Sequence, residues 1–493
     1  MGLHRLIALG AACLTLACEA DVGATRAAQR PDTPDTTDLP PVFGDADVVE
    51  THDSVGGRFR VHFTRAGQHA VPLDDDDMDG TPDYVQEVGE EYERVLAFFT
   101  DELGFAAPLS DADVPDNGGD DRFDVYLLDF PPGADGSFRR DECTLAPTRC
   151  PGHMLQENDF AGRGYPSRSV ATRILASHEL FHAVQAGYEA EPGVVVGEGT
   201  AVWASEAYDP SLDDFESFVG GYLSRPERSL GQEPTGPVDP FSYGAGLFFR
   251  FLEERHDRGV IRELWETPAP GGAIDWLAAL DAVLATRGSS FPEAFAELAR
   301  WNLYTARRAD AELAWAEGAA YPPVTERAVE LPYADDLVRV FPASVRYYAA
   351  PTGGRGEVEV ASTAADPADL ADVRLLLAFE EDGRITHTRE TAEARLSAPA
   401  QTATTVHVAL VGTATSGGSR RVGLCVGSPA EVSACLGEGT EADGGPTPVD
   451  AGAPDAGLAP PTSGGCAVGT PRALPAGWAL LAALGLLARR RRR

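Results

Sequence analysis

The stretch ILASHELFHAVQAGYEAEPGVVVGEGTAVWASE, residues 174–206, contains two histidines four positions apart and a glutamate sixteen positions beyond the second one. Residues four apart lie on the same face of an α-helix, so His178 and His182 can direct two imidazoles at one metal ion. Glu179 follows the first histidine and would flank an open coordination position. The spacing therefore predicts a metal-binding helix.

The two halves of this stretch predict a pair of helices. A periodic apolar pattern indicates a helix over residues 170–188, and a second helix is predicted to begin near Gly197. The loop between them contains Pro192 and is long enough to let the second helix fold back. Glu198, in the first turn of the second helix, is therefore the candidate third ligand. Glu206, two turns further on, is the competing candidate.

The residues from His178 to His182 form the HExxH signature of zinc proteases. The following GEGTAVW, residues 197–203, resembles the EG-x-A-x-W segment that follows HExxH in gluzincin-type metalloproteases, where the glutamate binds zinc. Together with YGAGLFFRFLEER further on, these motifs make residues 55–310 similar to a family of secreted metalloproteases of myxobacteria. The resemblance implies a zinc metalloprotease with an α+β zincin-like catalytic domain. It implies a protein or peptide as substrate, without naming one.

By this resemblance the cofactor is Zn²⁺, bound by His178, His182 and Glu198, with water in the fourth position. Glu179 would take a proton from this water during attack on a peptide carbonyl and deliver it to the leaving amine. Tyr243 opens a Y-x-x-G pattern that in several gluzincins supplies the hydrogen-bond donor to the oxyanion. The alternative for Tyr243 is a packed residue at the start of a helix.

The remaining pattern divides the chain into a metalloprotease domain, residues 47–330, and a β-sandwich domain, residues 331–437. In the first domain, strand-like alternation precedes the metal-binding helices, and helical periodicity follows them, for example over residues 243–255. Residues 154–158 are predicted to be an edge strand beside the cleft, because extended substrates pair with such strands in zinc proteases. In the second domain, six or more short alternating segments separated by turn residues indicate the sandwich.

The acidic run DDDDMDGTPD, residues 74–83, matches part of a calcium-binding loop. Its predicted Ca²⁺ ligands are carboxylates at the spacing of such loops, namely Asp75, Asp77, Asp79 and Asp83. Gly80 would permit the sharp turn that the loop needs. Gln86 stands where a bidentate glutamate is expected, and the alternative is a solvated acidic loop that caps the next helix.

Composition and cysteines limit the class of protein. With 43% hydrophobic and 24% charged residues, the chain is predicted to be a soluble body with a sizeable core. The formal net charge of −37 argues against nucleic acid and anionic lipid as partners, because both carry negative charge. Two local cysteine pairs, Cys143 with Cys150 and Cys425 with Cys435, are predicted to form disulfides in an oxidising compartment.

The N-terminal residues predict export. Residues 1–18 place Arg5 before the apolar run LIALGAACLTLA, which is typical of a secretory signal peptide. Residues 14–18, LTLAC, resemble a bacterial lipoprotein cleavage site, in which Cys18 becomes the lipidated N-terminus. Ordinary signal cleavage nearby is the alternative. Residues 19–46, rich in Pro, Thr, Asp and Ala, are predicted to be a flexible linker.

The C-terminal residues predict surface attachment. A second flexible linker, residues 438–465, is followed by a segment, residues 466–493, that combines Cys466, an apolar helix over 473–488 and five arginines. This layout resembles the C-terminal sorting segment of myxobacterial surface proteins, the MYXO-CTERM type. It implies a sorting protease that acts at or near Cys466 and membrane contact only through the terminal anchors.

These features together predict a protein that is secreted, or held at the cell surface or outer membrane of a Gram-negative bacterium. The predicted activity is hydrolysis of peptide bonds by a zinc endopeptidase. The alternative is a non-catalytic surface binding or adhesion protein on a degenerate metalloprotease scaffold.

Overall fold

A five-stranded sheet forms the N-terminal part of the protein, whose fold is given by a computed structural model that describes residues 41–141, 143, 149–235, 238–267 and 275–438. The strands of this sheet are β1 (Val49–Asp53), β2 (Phe59–Thr64), β3 (Phe123–Leu128), β4 (Gly136–Arg140) and β5 (Gly152–Glu157). Their spatial order is β1-β2-β3-β5-β4. β2, β3 and β5 are parallel, whereas β1 and β4 run antiparallel to their neighbours.

The edge strand differs from the predicted one. Residues 154–158 fall largely in β5, which lies between β3 and β4 and is therefore an interior strand. Every residue of β5 is buried, as expected for a strand with neighbours on both sides, whereas every residue of β4 is only half-buried. The edge strands are β1 and β4, of which β4 lies next to β5, and the prediction was wrong because strand order depends on tertiary pairing.

Two helices pack against the sheet: one lies between its second and third strands in the chain, and the other follows its last strand. α1 (Asp83–Ala97) lies between β2 and β3 and continues into one π-helical turn, Phe98–Glu102. The others are α2 (Arg168–Tyr188), α3 (Val194–Tyr208), α4 (Phe215–Leu223), α5 (Pro240–Gly244), α6 (Gly246–Arg255), α7 (Gly259–Glu266), α8 (Trp276–Thr286) and α9 (Phe291–Trp301). Short 3₁₀ turns occur at Pro210–Leu212 and Ala306–Arg308.

Local sequence explains where α2 and α3 begin. The side chain of Ser167 accepts a hydrogen bond from the Val170 N–H at 3.1 Å and caps α2. Gly193 precedes α3 with φ +94°, a left-handed conformation that favours glycine and turns the chain back. Because α3 begins at Val194, three residues before the predicted start, Glu198 lies in its second turn rather than its first.

The helix predicted over residues 243–255 is two helices, α5 and α6. Gly244 ends α5 where it packs against α4, and a Cβ at this position would lie only 2.4 Å from the backbone nitrogen of Tyr222. The missing side chain lets the two backbones approach, and the chain bends before α6 begins at Gly246.

The C-terminal part contains two sheets. Its strands are β6 (Arg327–Ala328), β7 (Tyr333–Val340), β8 (Ser344–Pro351), β9 (Glu357–Thr363), β10 (Val373–Glu381), β11 (Arg384–Thr391), β12 (Arg395–Pro399), β13 (Thr405–Gly412) and β14 (Arg420–Gly427), followed by α10 (Pro429–Cys435). One sheet has the order β11-β10-β13-β8-β6 and the other β12-β9-β14-β7. The two sheets enclose one apolar cluster, which contains Val360, Leu377, Val408 and Val422. This is the arrangement that the predicted β-sandwich requires.

A larger apolar core joins the helices, the first sheet and the outer side of the β10–β13 sheet. It includes Val125 of β3, Leu180 of α2, Trp203 of α3 and Ala409 of β13. The Tyr347 hydroxyl of β8 donates a hydrogen bond to the carbonyl oxygen of Ala299 in α9 at 2.8 Å. The described residues belong to one compact unit, and the fold class is α+β with a β-rich C-terminal half.

Both predicted disulfides, Cys143–Cys150 and Cys425–Cys435, are present. No helix among the described residues combines the length and apolar character needed to cross a bilayer. The signal peptide with Cys18, most of the first linker, and the C-terminal segment with Cys466 and the apolar run over 473–488 lie outside the described residues.

Candidate metal centre and active site

The three predicted zinc ligands lie together where α2 faces α3. Oε2 of Glu198 lies 3.3 Å from Nε2 of His178 and 3.6 Å from Nε2 of His182. The two imidazole rings are nearly perpendicular, with centroids 5.0 Å apart. One candidate ligand atom from each residue lies within 4.8 Å of the other two. Packing of the two helices therefore makes one donor set from residues that are distant in sequence.

These separations fit a tetrahedral metal ion. With metal–ligand bonds of about 2.1 Å, two ligand atoms on a tetrahedral zinc are about 3.4 Å apart. Oε2 of Glu198 is buried and accepts no hydrogen bond from the described residues. A buried carboxylate oxygen without a donor is unfavourable, and a cation between the three atoms would satisfy it.

The charges of the three residues act on one another. Burial alone raises the pKa of Glu198, but the imidazoles of His178 and His182 outweigh burial and hold that pKa well below its usual range. Burial alone lowers the pKa of His182, whereas the Glu198 carboxylate raises it to about 9. The Glu198 carboxylate therefore stays ionised beside the imidazoles, as a metal ligand must be.

Gln185, which sequence reasoning missed, orients His182. Its Nε2 donates to the Gly197 carbonyl oxygen at 2.8 Å and to Thr200 Oγ1 at 2.9 Å. Since the carbonyl can only accept, the amide must present Oε1 to Nδ1 of His182, which lies 2.8 Å away. The proton of a neutral His182 then resides on Nδ1, and the Nε2 lone pair is free to bind a metal. The signal in the sequence was a glutamine one helical turn after the second histidine.

The Glu179 side chain extends from α2 to the edge strand β4. Its Oε2 accepts a hydrogen bond from the Phe138 N–H of β4 at 2.9 Å. The Asp141 N–H, just after β4, donates a hydrogen bond to the Pro151 carbonyl oxygen. In β4, the backbone N–H and C=O groups of the odd-numbered residues therefore point toward β5. The backbone groups of Gly136, Phe138 and Arg140 therefore point away from the sheet. The edge strand and the candidate base are held in a fixed relation.

Tyr243 lies on the other side of His178. Its ring is 6.0 Å from the His178 ring, centroid to centroid, and stacks on Phe218 at 5.3 Å. Burial and the nearby carboxylates of Glu198 and Glu179 raise the pKa of Tyr243, so its hydroxyl keeps its proton. Tyr243 is packed against Phe218 and also lies near the candidate metal centre. Its position is therefore compatible with both alternatives, an oxyanion donor and a packed helix residue.

Glu206, the competing ligand, does not join the donor set. It is 3% exposed on α3, and the charges that act on it are those of Arg250, Glu317 and Glu216 rather than the histidines. Burial raises the pKa of Glu206 to about 7. Glu206 lies eight residues beyond Glu198, about 12 Å further along the axis of α3, which explains why the structure brings only Glu198 to the histidines.

Two carboxylates near His178 were also missed. Asp214 precedes α4, and burial raises its pKa to about 6 although the charge of His178 opposes this shift. Asp135 precedes β4 and accepts a hydrogen bond from the Tyr165 hydroxyl at 2.5 Å. Both lie in loops without a motif, so sequence spacing could not connect them with the site.

The acidic loop brings three of its four predicted calcium ligands together. Carboxylate oxygens of Asp75, Asp77 and Asp83 lie within 4.8 Å of one another. Asp79 is not part of this group; its carboxylate accepts hydrogen bonds from the Gln86 side chain at 2.9 Å and from the Thr81 N–H. The glutamine that departs from the calcium-loop pattern thus occupies one expected ligand.

Comparisons with known proteins add little. No family model matches the chain, and no curated protein matches it. Among solved structures, the chain is similar to the 1.0 Å crystal structure of the pre-peptidase C-terminal domain of a collagenase from Bacillus anthracis. The identity is 8%, the match covers 21% of this chain and 97% of that chain, and the TM-score is 0.17. This likeness is too low to support a conclusion about function.

Proposed function

We propose that this protein is a secreted or surface-attached zinc endopeptidase with a zincin-like catalytic domain. The observation that carries the proposal is the buried Oε2 of Glu198, which lies 3.3 and 3.6 Å from two imidazole nitrogens and accepts no hydrogen bond from a described residue. These distances agree with the edges of a tetrahedral zinc site.

His178, His182 and Glu198 would hold Zn²⁺, and Gln185 would keep His182 in the tautomer that binds it. The ion would supply Lewis acidity, which polarises a peptide carbonyl and makes water a nucleophile near neutral pH. Three protein ligands suit a catalytic site, since a structural zinc site is normally closed by four.

Glu179 would accept the proton of the attacking water and pass it to the leaving amine. Its hydrogen bond to Phe138 N fixes one carboxylate oxygen and leaves the other for a proton. Tyr243, protonated and beside His178, would donate to the oxygen of the peptide carbonyl as negative charge develops on it.

The edge strand β4 supports a polypeptide as substrate. The outward backbone groups of Gly136 and Arg140 are available to an extended peptide, which would add to the sheet as a further strand. Such pairing holds a peptide by its backbone and places a carbonyl near Glu179. Calcium at the acidic loop would be a second, structural cation.

The proposal places the protein outside the cytoplasm. Its support is the signal-like N-terminus, the sorting-like C-terminus and two disulfides, which persist in oxidising compartments. A sorting protease would be a partner of the C-terminal segment, and terminal anchors would be the points of membrane contact.

The test uses the full chain purified from the culture medium or cell surface. Zinc content is measured by elemental analysis, and cleavage of an unfolded protein is measured with and without a chelator. We expect about one zinc per chain and chelator-sensitive cleavage. Glu179→Gln should keep the zinc and lose about 10²- to 10⁴-fold in kcat.

Two outcomes would contradict the proposal: a chain that binds no zinc, or cleavage that survives Glu179→Gln. A chain that binds zinc but cleaves nothing would favour the alternative, a surface binding or adhesion protein on a degenerate metalloprotease scaffold.

A further inference from the structure

A groove leads away from the candidate metal centre. A cavity of about 560 Å³ is lined by His182, Glu198, two residues of β4, and the loop that joins α2 to α3. A second cavity of about 630 Å³ shares Glu191 and Glu233 as walls and extends to Asp275 and the turn at residues 415–419. We call these two adjoining cavities the acidic groove.

The charges along the acidic groove are unbalanced. Its walls carry four carboxylates besides Glu198, namely Glu189, Glu191, Glu233 and Asp275. Among the described lining residues Arg140 supplies the one guanidinium, whose Nη1 donates to the Ala190 carbonyl oxygen at 2.8 Å and lies 3.4 Å from Glu191. One guanidinium therefore faces several carboxylates.

Glu189 is the informative member of this set. It is 6% exposed, and its Oε1 accepts the Glu191 N–H at 3.0 Å. Within the described part of the chain, Glu189 has no ion-pair partner. A carboxylate with one backbone donor and no ion-pair partner among the described residues can accept further hydrogen bonds, and its side chain lines the cavity beside the candidate metal centre.

Glu233 adds a second carboxylate to this cavity, at the start of α3. Its Oε2 accepts the Val194 N–H at 2.7 Å at the start of α3, and this carboxylate has no ion pair with a described residue. The same cavity presents apolar surface from Phe138, Pro192 and Val194. A long aliphatic side chain with a cationic end matches both features, because its stem can lie on apolar surface while its end meets carboxylates.

The overall charge acts in the same direction. The chain has 77 acidic and 40 basic residues, and a cleft lined by one sign of charge concentrates ligands of the opposite sign. An anionic or neutral polypeptide would gain nothing from this field.

We propose that the acidic groove selects polypeptides with lysine or arginine within a few residues of the bond at the metal centre. The basic side chain lies on the Arg140 end of β4, with its cationic end at Glu189 and Glu233. This binding preference is a substrate specificity only if the protein is the endopeptidase proposed above, so the inference rests on the proposed function. Binding through the groove, however, can be measured without catalysis.

The test measures the binding of fluorescent peptide pairs that differ only in lysine or glutamine, by anisotropy, to the full-length, zinc-loaded Glu179→Gln variant. The lysine peptide should bind at least about tenfold more tightly at low salt, with a smaller difference at high salt. Adding Glu189→Gln, which keeps the acceptor for the Glu191 N–H, should remove most of the difference, as should adding Glu233→Gln. Glu312→Gln, an exposed change elsewhere, should leave it unchanged.

Wild-type cleavage of a peptide library provides the second readout. We expect lysine or arginine to be enriched on one side of the cleaved bond, and the enrichment to fall in Glu189→Gln. Equal binding of the two peptides, or a preference that survives both groove substitutions, would overturn the inference. Basic-peptide binding without cleavage in the wild type would uphold the groove and overturn the proposed function instead.

Discussion

Two clusters of histidine and carboxylate side chains in this molecule are satisfied in different ways. At the candidate metal centre, two imidazoles approach one Glu198 oxygen at 3.3 and 3.6 Å, and no residue in the described ranges donates a hydrogen bond to that oxygen. Where the helical part meets the C-terminal sheets, His407 lies between Glu326 and Glu380, at 2.6 and 3.1 Å. Arg308 adds a further ion pair to Glu326 at 2.7 Å.

The difference separates a structural cluster from a candidate binding site. Around His407, each imidazole nitrogen meets a carboxylate, and Arg308 balances the second negative charge, so the protein satisfies itself. At the candidate metal centre, three potential ligand atoms lie within 4.8 Å of one another, and no described lysine or arginine pairs with the Glu198 carboxylate. Both clusters combine imidazoles with carboxylates, but the cluster at His407 also contains an arginine that pairs with a carboxylate.

Removing a ligand should give the largest effect. His182→Ala should abolish zinc binding and lower kcat/KM for an unfolded protein substrate by about 10³-fold or more, because the ion's several kcal/mol of transition-state stabilisation are lost. Elemental analysis and cleavage assays measure the two effects. Full zinc occupancy in this variant would show that His178, His182 and Glu198 are not the metal site.

Tyr243→Phe should have the next largest effect. Loss of a donor to a developing oxyanion lowers kcat by about 10²- to 10³-fold, while KM and zinc content stay near their wild-type values. Steady-state kinetics separate this result from a packing role. A stability loss with unchanged kcat would show that Tyr243 only fills space beside Phe218.

His407→Gln should act on stability instead. Two buried carboxylates would lose a charged partner, and the free energy of unfolding should fall by about 3 kcal/mol at pH 6. Zinc content and activity at moderate temperature should not change. Denaturant unfolding of wild type and variant measures the difference, and a variant that also loses zinc would contradict the separation of the two clusters.

The same variant should show a defined pH dependence. Burial lowers the pKa of His407, but hydrogen bonds to Glu326 and Glu380 outweigh it and raise the pKa above its usual value of 6.5. The stability that His407 contributes is therefore present in full below pH 6.5 and is lost as pH rises through the raised pKa.

Glu326 and Glu380 determine how the stability of this cluster changes at acidic pH. Burial raises the pKa of Glu326, but His407 and Arg308 outweigh burial and lower that pKa below its usual value of 4.5. The pKa of Glu380 is also lowered, chiefly by the hydrogen bond from His407. Their contribution is present above pH 4.5 and lost as pH falls through the lowered pKa. The difference in the free energy of unfolding between wild type and His407→Gln should thus be largest between pH 4.5 and 6.5 and smaller at pH 9.

Gln185→Ala should have a moderate effect on the metal centre. Without the Oε1 acceptor, His182 loses the contact that fixes its tautomer, and zinc affinity should fall about 10- to 100-fold. Competition with a chelator of known affinity measures the change. Thr200→Val removes only one hydrogen bond of Gln185 and should weaken zinc less, so equal effects would argue against the positioning role.

The acidic loop should give the smallest effect. Calcium at about five times its Kd should raise the free energy of unfolding by about 1 kcal/mol. Asp77→Asn should remove this increase, whereas Asp76→Asn, outside the group of three carboxylates, should keep it. Calorimetry with and without a chelator measures both, and an increase that survives Asp77→Asn would favour the solvated-loop alternative.

Much of the secondary structure could be predicted from the sequence. The helix over residues 170–188, both disulfides and the change to a β-rich C-terminal part follow from periodicity and cysteine spacing, which are local signals. The failures were at contacts between elements. The division of residues 243–255 into α5 and α6 follows from the close approach of α4 to Gly244, which no periodicity reveals.

The candidate site shows the same division. By itself, the sequence determined that His178 and His182 share one helix face, because helical geometry depends only on near neighbours. Only the tertiary structure decided that Glu198 and not Glu206 meets them, that β4 is the strand beside Glu179, and that Glu189 lines the groove. These contacts depend on helix packing and strand order, which are set by residues far apart in the chain.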